Sequence, residues 1–419
     1  MLVRDFIRKR LGAYFAQAHE MVVGSVDRGG ALTPSINFQT LMGRWHFQRV
    51  VSKLYEETKG QWLTPVELFR PHYSNILTDY IIEHAVKNVK NGVEKCKHLH
   101  IIELGAGRAT HAYLVIERLR QKYPEVLPSL KYTIVEASLS LIELQHNILQ
   151  PLLEDDINIK FIRRDLGMLE NDENCYDEFL RCGDNDNDEQ VVVFALEVFD
   201  NLPHDKVVRS HSKNDNGQGS SVMQVELVRS EEPGDYNEYL CEMKDPLISR
   251  ICGDSEHSPV YSPGRHTGDS RWVPSVACNF IRELYRSHPD ALLFVADFDW
   301  LPSPDLTSES DYDAADFDYS DGAPLITDMS KRDYPSYRNA PECCDILFPT
   351  DFLTLSKYTR SLLRGSSQDV HVYKQGEFFQ KFGGDELTLT KSFLPLTNYN
   401  PLIDEFENFS VMTTSKRKH

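Results

Sequence analysis

Residues 99–110 read LHIIELGAGRAT, an apolar run that ends in a carboxylate, Glu103, and breaks into a turn with two glycines, Gly105 and Gly107. The run has the length of a buried strand. The stretch behind it, ATHAYLVIERLRQKY at 109–123, spaces Tyr113, Ile116 and Leu119 as the inner face of a helix. Strand, glycine turn and helix open a βα unit whose turn lies at the carboxyl edge of a parallel sheet, where ligands bind. Glycines at that edge let backbone amides and the helix N-terminus approach a ligand closely.

The alternation continues outward from this unit. LKYTIVEAS (130–138), INIKFIRRDL (157–166), QVVVFAL (190–196) and ALLFVADF (291–298) read as further strands. LSLIELQHNILQPLL (139–153) and WVPSVACNFIRELYRSH (272–288) read as helices between them. FPTDFLTLSKYTRSLL (348–363) suggests another helix, and DVHVYKQ (369–375) a late strand. Continuous apolar strands alternating with helices predict an α/β fold, a doubly wound and mostly parallel sheet covered on both faces. Residues 94–400 form that domain, with insertions at about 205–265 and 301–343; 21–93 is a helical segment, and 401–419 a C-terminal tail whose last residues, TTSKRKH (413–419), are expected to be disordered.

Three acids fall at successive strand ends: Glu103, Glu136 and Asp165. Glu103 is placed to accept hydrogen bonds from an ammonium group, Glu136 to grip two ribose hydroxyls, and Asp165 to meet an exocyclic amine. A negatively lined turn suits a sulfonium compound with an amino-acid tail better than a dinucleotide pyrophosphate. Thr110 also stands where the third glycine of a dinucleotide fingerprint would be. A nicotinamide- or flavin-dependent oxidoreductase is therefore the rival reading. Asp165 has its own simpler alternative, a salt bridge to Arg163 or Arg164.

The net charge of −19 disfavours nucleic acid as a partner. Much of the acid lies in ENDENCYDEFLRCGDNDNDE (170–189) and DLTSESDYDAADFDYSDG (305–322), read as solvated loops, with recognition of a basic protein as the sharper alternative. Eight cysteines without a C-x-x-C pair fit free thiols in a reducing compartment and no zinc site. The longest apolar run is too short to cross a membrane. The opening residues MLVRDFIRKRLGAYFAQAH are amphipathic and rich in arginine, the composition of a mitochondrial presequence and equally of a docked surface helix over residues 1–20.

IIELGAGRATHAYLVIERLRQKYPEVLPSLKYTIVEASLSLIELQ resembles the MidA-like family, whose mitochondrial members are protein arginine methyltransferases that help assemble respiratory complex I. The likeness extends upstream through LTPVELFRPHYSNILTDYI (63–81). Downstream it runs through ALEVFDNLPHDKVV (195–208), FVADFDWLP (294–302), CDILFPTDFLTL (344–355) and KQGEFFQKFG (374–383). It implies a class I, Rossmann-like methyltransferase that uses S-adenosyl-L-methionine held by Glu103, Gly105, Gly107, Glu136 and Asp165. Thr64 and Glu67 would line the cofactor entrance, or serve only as a helix cap and its capping box. Glu197 and Asp200, matching the family's E-F-F-D acids, are the catalytic candidates, with capping of the next helix as the plainer role. No metal is implied. The expected acceptor is a basic protein, such as a complex I subunit, in the mitochondrial matrix, with the cytoplasm as the alternative. The chain departs from the family pattern at Ala109, Leu196, Asp299 and Pro349, so a cofactor-binding assembly factor without transfer activity is the second rival.

Overall fold

The computed structural model describes residues 1–17, 34–58, 63–85, 98–168, 176–180, 189–214, 217–231, 236–253, 270–304, 317–318, 320–328, 330–393 and 398–417, with the backbone alone at 210–214 and 217–220. Helices α1 (Val3–Gln17), α2 (Arg44–Glu57), α3 (Pro65–Leu68) and α4 (His72–Ala85) precede β1 (His98–Leu104). The first half of the sheet follows as α5 (Thr110–Lys122), β2 (Leu130–Glu136), α6 (Leu139–Glu154) and β3 (Ile159–Arg163). Short α7 (Asp177–Leu180) leads to β4 (Glu189–Leu196), and β5 (Asp205–Asn214), β6 (Gly217–Arg229) and β7 (Tyr236–Glu242) form a meander. Next come α8 (Pro246–Cys252), β8 (Ser270–Val273), α9 (Ser275–Ser287) and β9 (Leu292–Phe298). The chain then runs through β10 (Leu325–Thr327), β11 (Asp333–Tyr334), β12 (Asp345–Leu347), α10 (Phe352–Leu362) and β13 (Gln368–Lys374). It closes with α11 (Gln375–Phe382), α12 (Glu386–Thr390), α13 (Pro401–Asp404) and β14 (Phe409–Lys416).

The central sheet has seven strands in the order β13-β14-β9-β4-β1-β2-β3. β1 pairs in parallel with β2 and β4, and the pairs β2–β3 and β4–β9 are parallel as well. β14 is antiparallel to both β9 and β13, one reversed strand inserted near an edge. Period-two alternation sorts the strands' side chains between two cores. Ile101, Phe194 and Phe294 pack on one face with residues of α4, α5 and α11, while Ile102, Val193 and Leu293 pack on the other with α8, α9 and α10. The order of parallel strands reverses direction between β1 and β4, which opens a crevice above their carboxyl ends.

The insertion after β4 is a four-stranded antiparallel sheet, β7-β6-β5-β8, and β10–β12 form a second small sheet. Helix α1 packs against both. Val3, Phe6, Ile7 and Leu11 are buried in a third core with Val225, Trp272 and Ile346. Arg4 is buried among acids, with its guanidinium 2.6 Å from Asp205 and 2.6 Å from Asp245. The docked-helix reading of residues 1–20 thus describes 3–17.

Four expectations need correction. The C-terminal tail carries strand β14, which takes in Thr413–Lys416 of the stretch expected to be disordered, with Thr413 and Thr414 fully buried. The β-branched and alternating residues there fit a pleated strand covered on both faces. Trp272 and Val273 belong to β8, so the helix begins after Pro274. Tyr113 is only half-buried, while Ile116 and Leu119 are fully buried. Within the two acidic blocks, Glu189 pairs with Lys131 and His100, Asp318 with Lys206 and Asp321 with Arg271. These three are structural ions rather than solvated loop; most of both blocks lies outside the described residues.

Candidate active site

The glycine turn follows β1 at the crevice. Gly105, Gly107 and Ala109 all adopt left-handed backbone, with φ of 59°, 53° and 60°. At Gly105 a Cβ would stand 3.0 Å from Cγ2 of Val198, so the turn presses against the segment leaving β4. The Gly105 N–H donates to the Val135 carbonyl at 2.8 Å, which pins the turn to β2. Thr110 begins α5, and its hydroxyl donates to the carboxylate of Glu67.

Glu103 and Glu136 share the face of the sheet that carries Tyr132 and Ile134, because each lies an even number of residues from a member of that core along its strand. Glu103 is buried, and the Tyr132 hydroxyl donates to it at 2.6 Å. Burial, opposed by that hydrogen bond and aided by nearby Glu136, pushes its carboxyl up to about 8. Glu136 is also buried and its carboxyl is raised by burial, although it accepts from the Ser138 N–H at 3.0 Å. Gln145 of α6 joins the two halves of the site: its Nε2 donates to the Gly107 carbonyl at 2.9 Å and to Glu136 at 3.3 Å. Its Oε1 is buried without a partner among the described residues. Asp165 lies two residues past β3, partly exposed, and accepts from the Gly167 N–H at 2.8 Å. The structure brings Glu103, Gly105, Gly107 and Glu136 together, with Asp165 at the adjoining strand end.

Thr64 caps α3 by accepting from the Glu67 N–H at 3.3 Å, with Pro65 in the first helical position. Glu67 itself is 2% exposed. Its carboxylate accepts from Thr110 and, at 3.2 Å, from Arg70. It braces the start of α5 from behind, so its observed contacts are those of a support for the glycine turn and not of an open cofactor wall.

The second group of acids sits beyond β4 and β9. Glu197 has left-handed backbone at φ 55° and is tied to β9 through its N–H to the Ala296 carbonyl at 2.8 Å. Asp200 is buried, and its N–H donates to Asp297 at 3.0 Å. Asp345 accepts from Asn201 at 3.0 Å. Burial first, then the charge of Asp297, drives the carboxyls of Glu197 and Asp200 well above the ordinary range. Burial likewise raises Asp297 to about 7 and Asp345 to about 6. Among the described residues no arginine, lysine or histidine forms an ion pair with any of these four, and Oδ1 of Asp200 is buried without a partner. Asp200 lies inside the short helical turn at 199–201, whose cap is Val198, so helix capping is not what its side chain does.

Asp297 and Asp345 escaped selection from sequence, as did Tyr132 and Gln145. A signal for the two acids was present: Asp297 opens the D-F-D stretch and Asp345 the D-I-L stretch already matched to the family. Tyr132 and Gln145 carried none, since their roles depend on which strand and helix flank the turn.

The donor set can be tested for fit. Two buried carboxylates with raised protonation and no cationic partner among the described residues, beside a turn where a Cβ would collide, suit a cationic ligand. A pyrophosphate would find acceptors there and no cationic partner among the described residues. Among the described residues no cluster of metal-ligating side chains is found, and no helix is long and apolar enough to cross a membrane.

Residues 81–367, more than half the chain, match the model of a family described as S-adenosyl-L-methionine-dependent methyltransferase. The chain belongs to this MidA-like methyltransferase family. A protein from Burkholderia thailandensis, whose crystal structure holds S-adenosyl-homocysteine, shares the fold at a TM-score of 0.52 and 16% identity, over 99% of this chain and 92% of that one. More distant are the CcbJ methyltransferase of Streptomyces caelestis (TM-score 0.34, 8% identity, 92% of this chain and all of that one) and a methyltransferase of Clostridium acetobutylicum (0.34, 6%, 88% and 99%). No curated protein matches the chain. The methyltransferase assignment removes the oxidoreductase rival.

The departures from the family pattern find their places in this methyltransferase. Ala109 takes the left-handed conformation a glycine would take, so the turn keeps its shape at a cost in strain. Leu196 ends β4 beside the acids. Asp299 and Pro349 line one cavity of about 700 Å³, which includes none of the residues of the glycine turn.

Proposed function

We propose that this methyltransferase acts on the guanidinium of a protein arginine, and that the four acids beyond β4 and β9 receive it. The observation that carries the reading is the buried, unpartnered oxygen of Asp200 within a group of four acids that has no cationic partner among the described residues. A guanidinium offers five N–H donors and a positive charge, which is what such a group lacks.

Bound S-adenosylmethionine supplies an electrophilic methyl group on a positively charged sulfur. Glu103, Glu136 and Gln145 are the residues to hold it, beside backbone freed by Gly105 and Gly107. Glu197 and Asp200 then fix the guanidinium, draw its charge toward one nitrogen and orient that nitrogen, which is where most of the rate is gained. As the N–C bond forms, the methyl–sulfur bond would break with its electron pair left on sulfur, S-adenosyl-homocysteine being the leaving group, and a proton must leave the nitrogen. A buried carboxylate with raised basicity, Asp297 or Asp200, is suited to take it. The setting in complex I assembly within mitochondria rests on the family resemblance of the quoted stretches.

A second reading, a cofactor-binding assembly factor, is favoured by Asp299. Its carboxylate is held by Lys374 and Ser410 at 2.5 Å each, where the family pattern has glycine. One experiment decides between them. The purified protein is incubated with methyl-labelled S-adenosylmethionine and arginine-containing peptides or mitochondrial extract, and modified arginines are read by mass spectrometry. Label on arginine that disappears in Asp200→Asn supports transfer. Cofactor binding without label in any sample supports the assembly factor.

A further inference from the structure

Helix α1 reaches both halves of the site. Its apolar side, Val3, Ile7 and Leu11, is buried in the third core. Tyr14 follows Leu11 by three residues, on the same side of the helix, and is buried as well. Arg10, a turn earlier, donates to the Ala340 carbonyl at 2.6 Å and fastens the helix to the segment that leads into β12. Nearer its start, α1 meets the loop of Asp165. A Cβ at Gly167 would stand 3.2 Å from Cγ of Arg8 and 3.1 Å from Oδ1 of Asp165. The six residues from Arg8 to Tyr14 cover about 9 Å of helix. A single helix thus runs from the cofactor side of the crevice to the acid cluster.

The Tyr14 hydroxyl donates to the carboxylate of Asp345. Asn201, next to Asp200, donates to the same carboxylate at 3.0 Å. Asp345 is therefore held from two sides, by the loop that carries Asp200 and by α1. Burial first, then the charge of Asp345, pushes the Tyr14 phenol up, so it keeps its proton and serves here as a donor. Burial raises Asp345 to about 6, against the opposing hydrogen bonds from the Ile346 N–H, Asn201 and Tyr14. The titratable groups around it are otherwise of like sign or neutral. Asp200, with Glu197 and Asp297 behind it, faces Asp345 from the strand ends. Cys344 precedes it, its thiol pushed up by burial. From β10 the residue opposite is Thr327, and Asp328 beyond it accepts from the Tyr334 hydroxyl at 3.0 Å. Arg10 of α1 is spent on the backbone carbonyls of Ala340 and Arg338.

We propose that Tyr14 is a positioning residue of the transfer site: its hydroxyl holds Asp345 as an anion against the acid loop, so that α1 sets the charge offered to the acceptor guanidinium. The proposal rests on the protein-arginine reading and adds to it a residue from the far end of the chain. The physical cause is that a donor to a carboxylate favours its charged form. Without the hydroxyl, Asp345 keeps its proton to higher pH, and one of the four acids is lost to a cation that needs them ionised.

Tyr14→Phe keeps the buried ring and removes only the hydroxyl. Urea unfolding is measured at pH 8 and pH 5 for the wild type, Tyr14→Phe, Asp345→Asn and the double variant. The folded value of Asp345, about 6, lies above the ordinary 3.8, so the stability tied to this group is present at low pH and lost as pH rises through about 6. Tyr14 offsets part of that loss. The cycle should show a coupling of about tenfold in the unfolding constant at pH 8, that of a hydrogen bond to a charged group, and a smaller one at pH 5. If Asp345→Asn does not fold, the difference between wild type and Tyr14→Phe at the two pH values gives the same reading. With methyl-labelled S-adenosylmethionine and arginine peptides, kcat of Tyr14→Phe should fall about fivefold at pH 6.5 and less than about twofold at pH 8.5, with affinity for S-adenosyl-homocysteine unchanged. No pH-dependent coupling overturns the proposal whether or not methyl is transferred. Coupling with an unaltered kcat profile, or an equal loss of cofactor affinity, overturns it too and leaves Tyr14 a structural tie. Coupling without label in any protein removes the arginine-transfer reading alone, with Tyr14 still setting the charge of Asp345.

Discussion

Glu103 should make cofactor binding pH-dependent in a window well above that of an ordinary exposed carboxylate. With its carboxyl raised to about 8 in the free protein, ionisation of Glu103 is resisted. A group whose folded value lies above its unfolded one contributes stability that is present below the unfolded value, near 4.5. That contribution is lost as pH rises through about 8. A cation placed against the carboxylate reverses the preference, so binding below about pH 8 must expel a proton. Each unit below that point lowers the ionised fraction about tenfold, about 1.4 kcal/mol in affinity. Between about pH 8 and pH 6 the affinity for S-adenosyl-homocysteine should therefore fall roughly fiftyfold. Titration calorimetry in buffers of different ionisation heat measures both the affinity and the protons released, which should approach one near pH 6.5. Glu103→Gln keeps an acceptor for Tyr132 but cannot titrate, and separates this group from Glu136 and Asp297. A flat wild-type profile, or the same slope in Glu103→Gln, would refute the assignment of a cation to this carboxylate.

Other consequences can be checked in the same protein. Gly105→Ala should cost about 1–2 kcal/mol for left-handed backbone alone, with more from the contact at Val198, and should lower both melting temperature and cofactor affinity. Glu136→Ala should weaken cofactor binding by roughly 1–3 kcal/mol, read by calorimetry; unchanged affinity would move the ribose elsewhere. Asp200→Asn should leave cofactor affinity nearly intact while lowering turnover, and equal loss of both would take Asp200 out of the acceptor site. Arg4→Met leaves Asp205 and Asp245 buried without their cation and should destabilise by about 3–5 kcal/mol in chemical denaturation.

Much of the fold was legible because the central strands β1, β4 and β9 are nearly continuous apolar runs, which two covered faces require. The glycine turn and the acids Glu103 and Glu136 were legible for a related reason: polar residues at the end of apolar strands stand out. The reversed strand β14 was not, since the Thr413–Thr414 pair reads as polar although both hydroxyls are buried on partners supplied by Tyr80, Tyr285 and Leu293. Nor was the role of Glu67, whose capping pattern was visible but whose attachment to Thr110 spans 43 positions. The acid cluster was half visible. Asp200 and Glu197 are close in sequence, whereas Asp297 and Asp345 join them only after the sheet closes.

The strip from Phe348 to Thr350 is fastened on one side to the loop of Asp200 and on the other to the end of β9. Two rungs, two residues apart, thus yoke the departures from two neighbouring strands through a segment that belongs to neither. A disturbance of that short brace reaches Asp200 and the neighbourhood of Asp297 together, so the two acids share one mechanical fate.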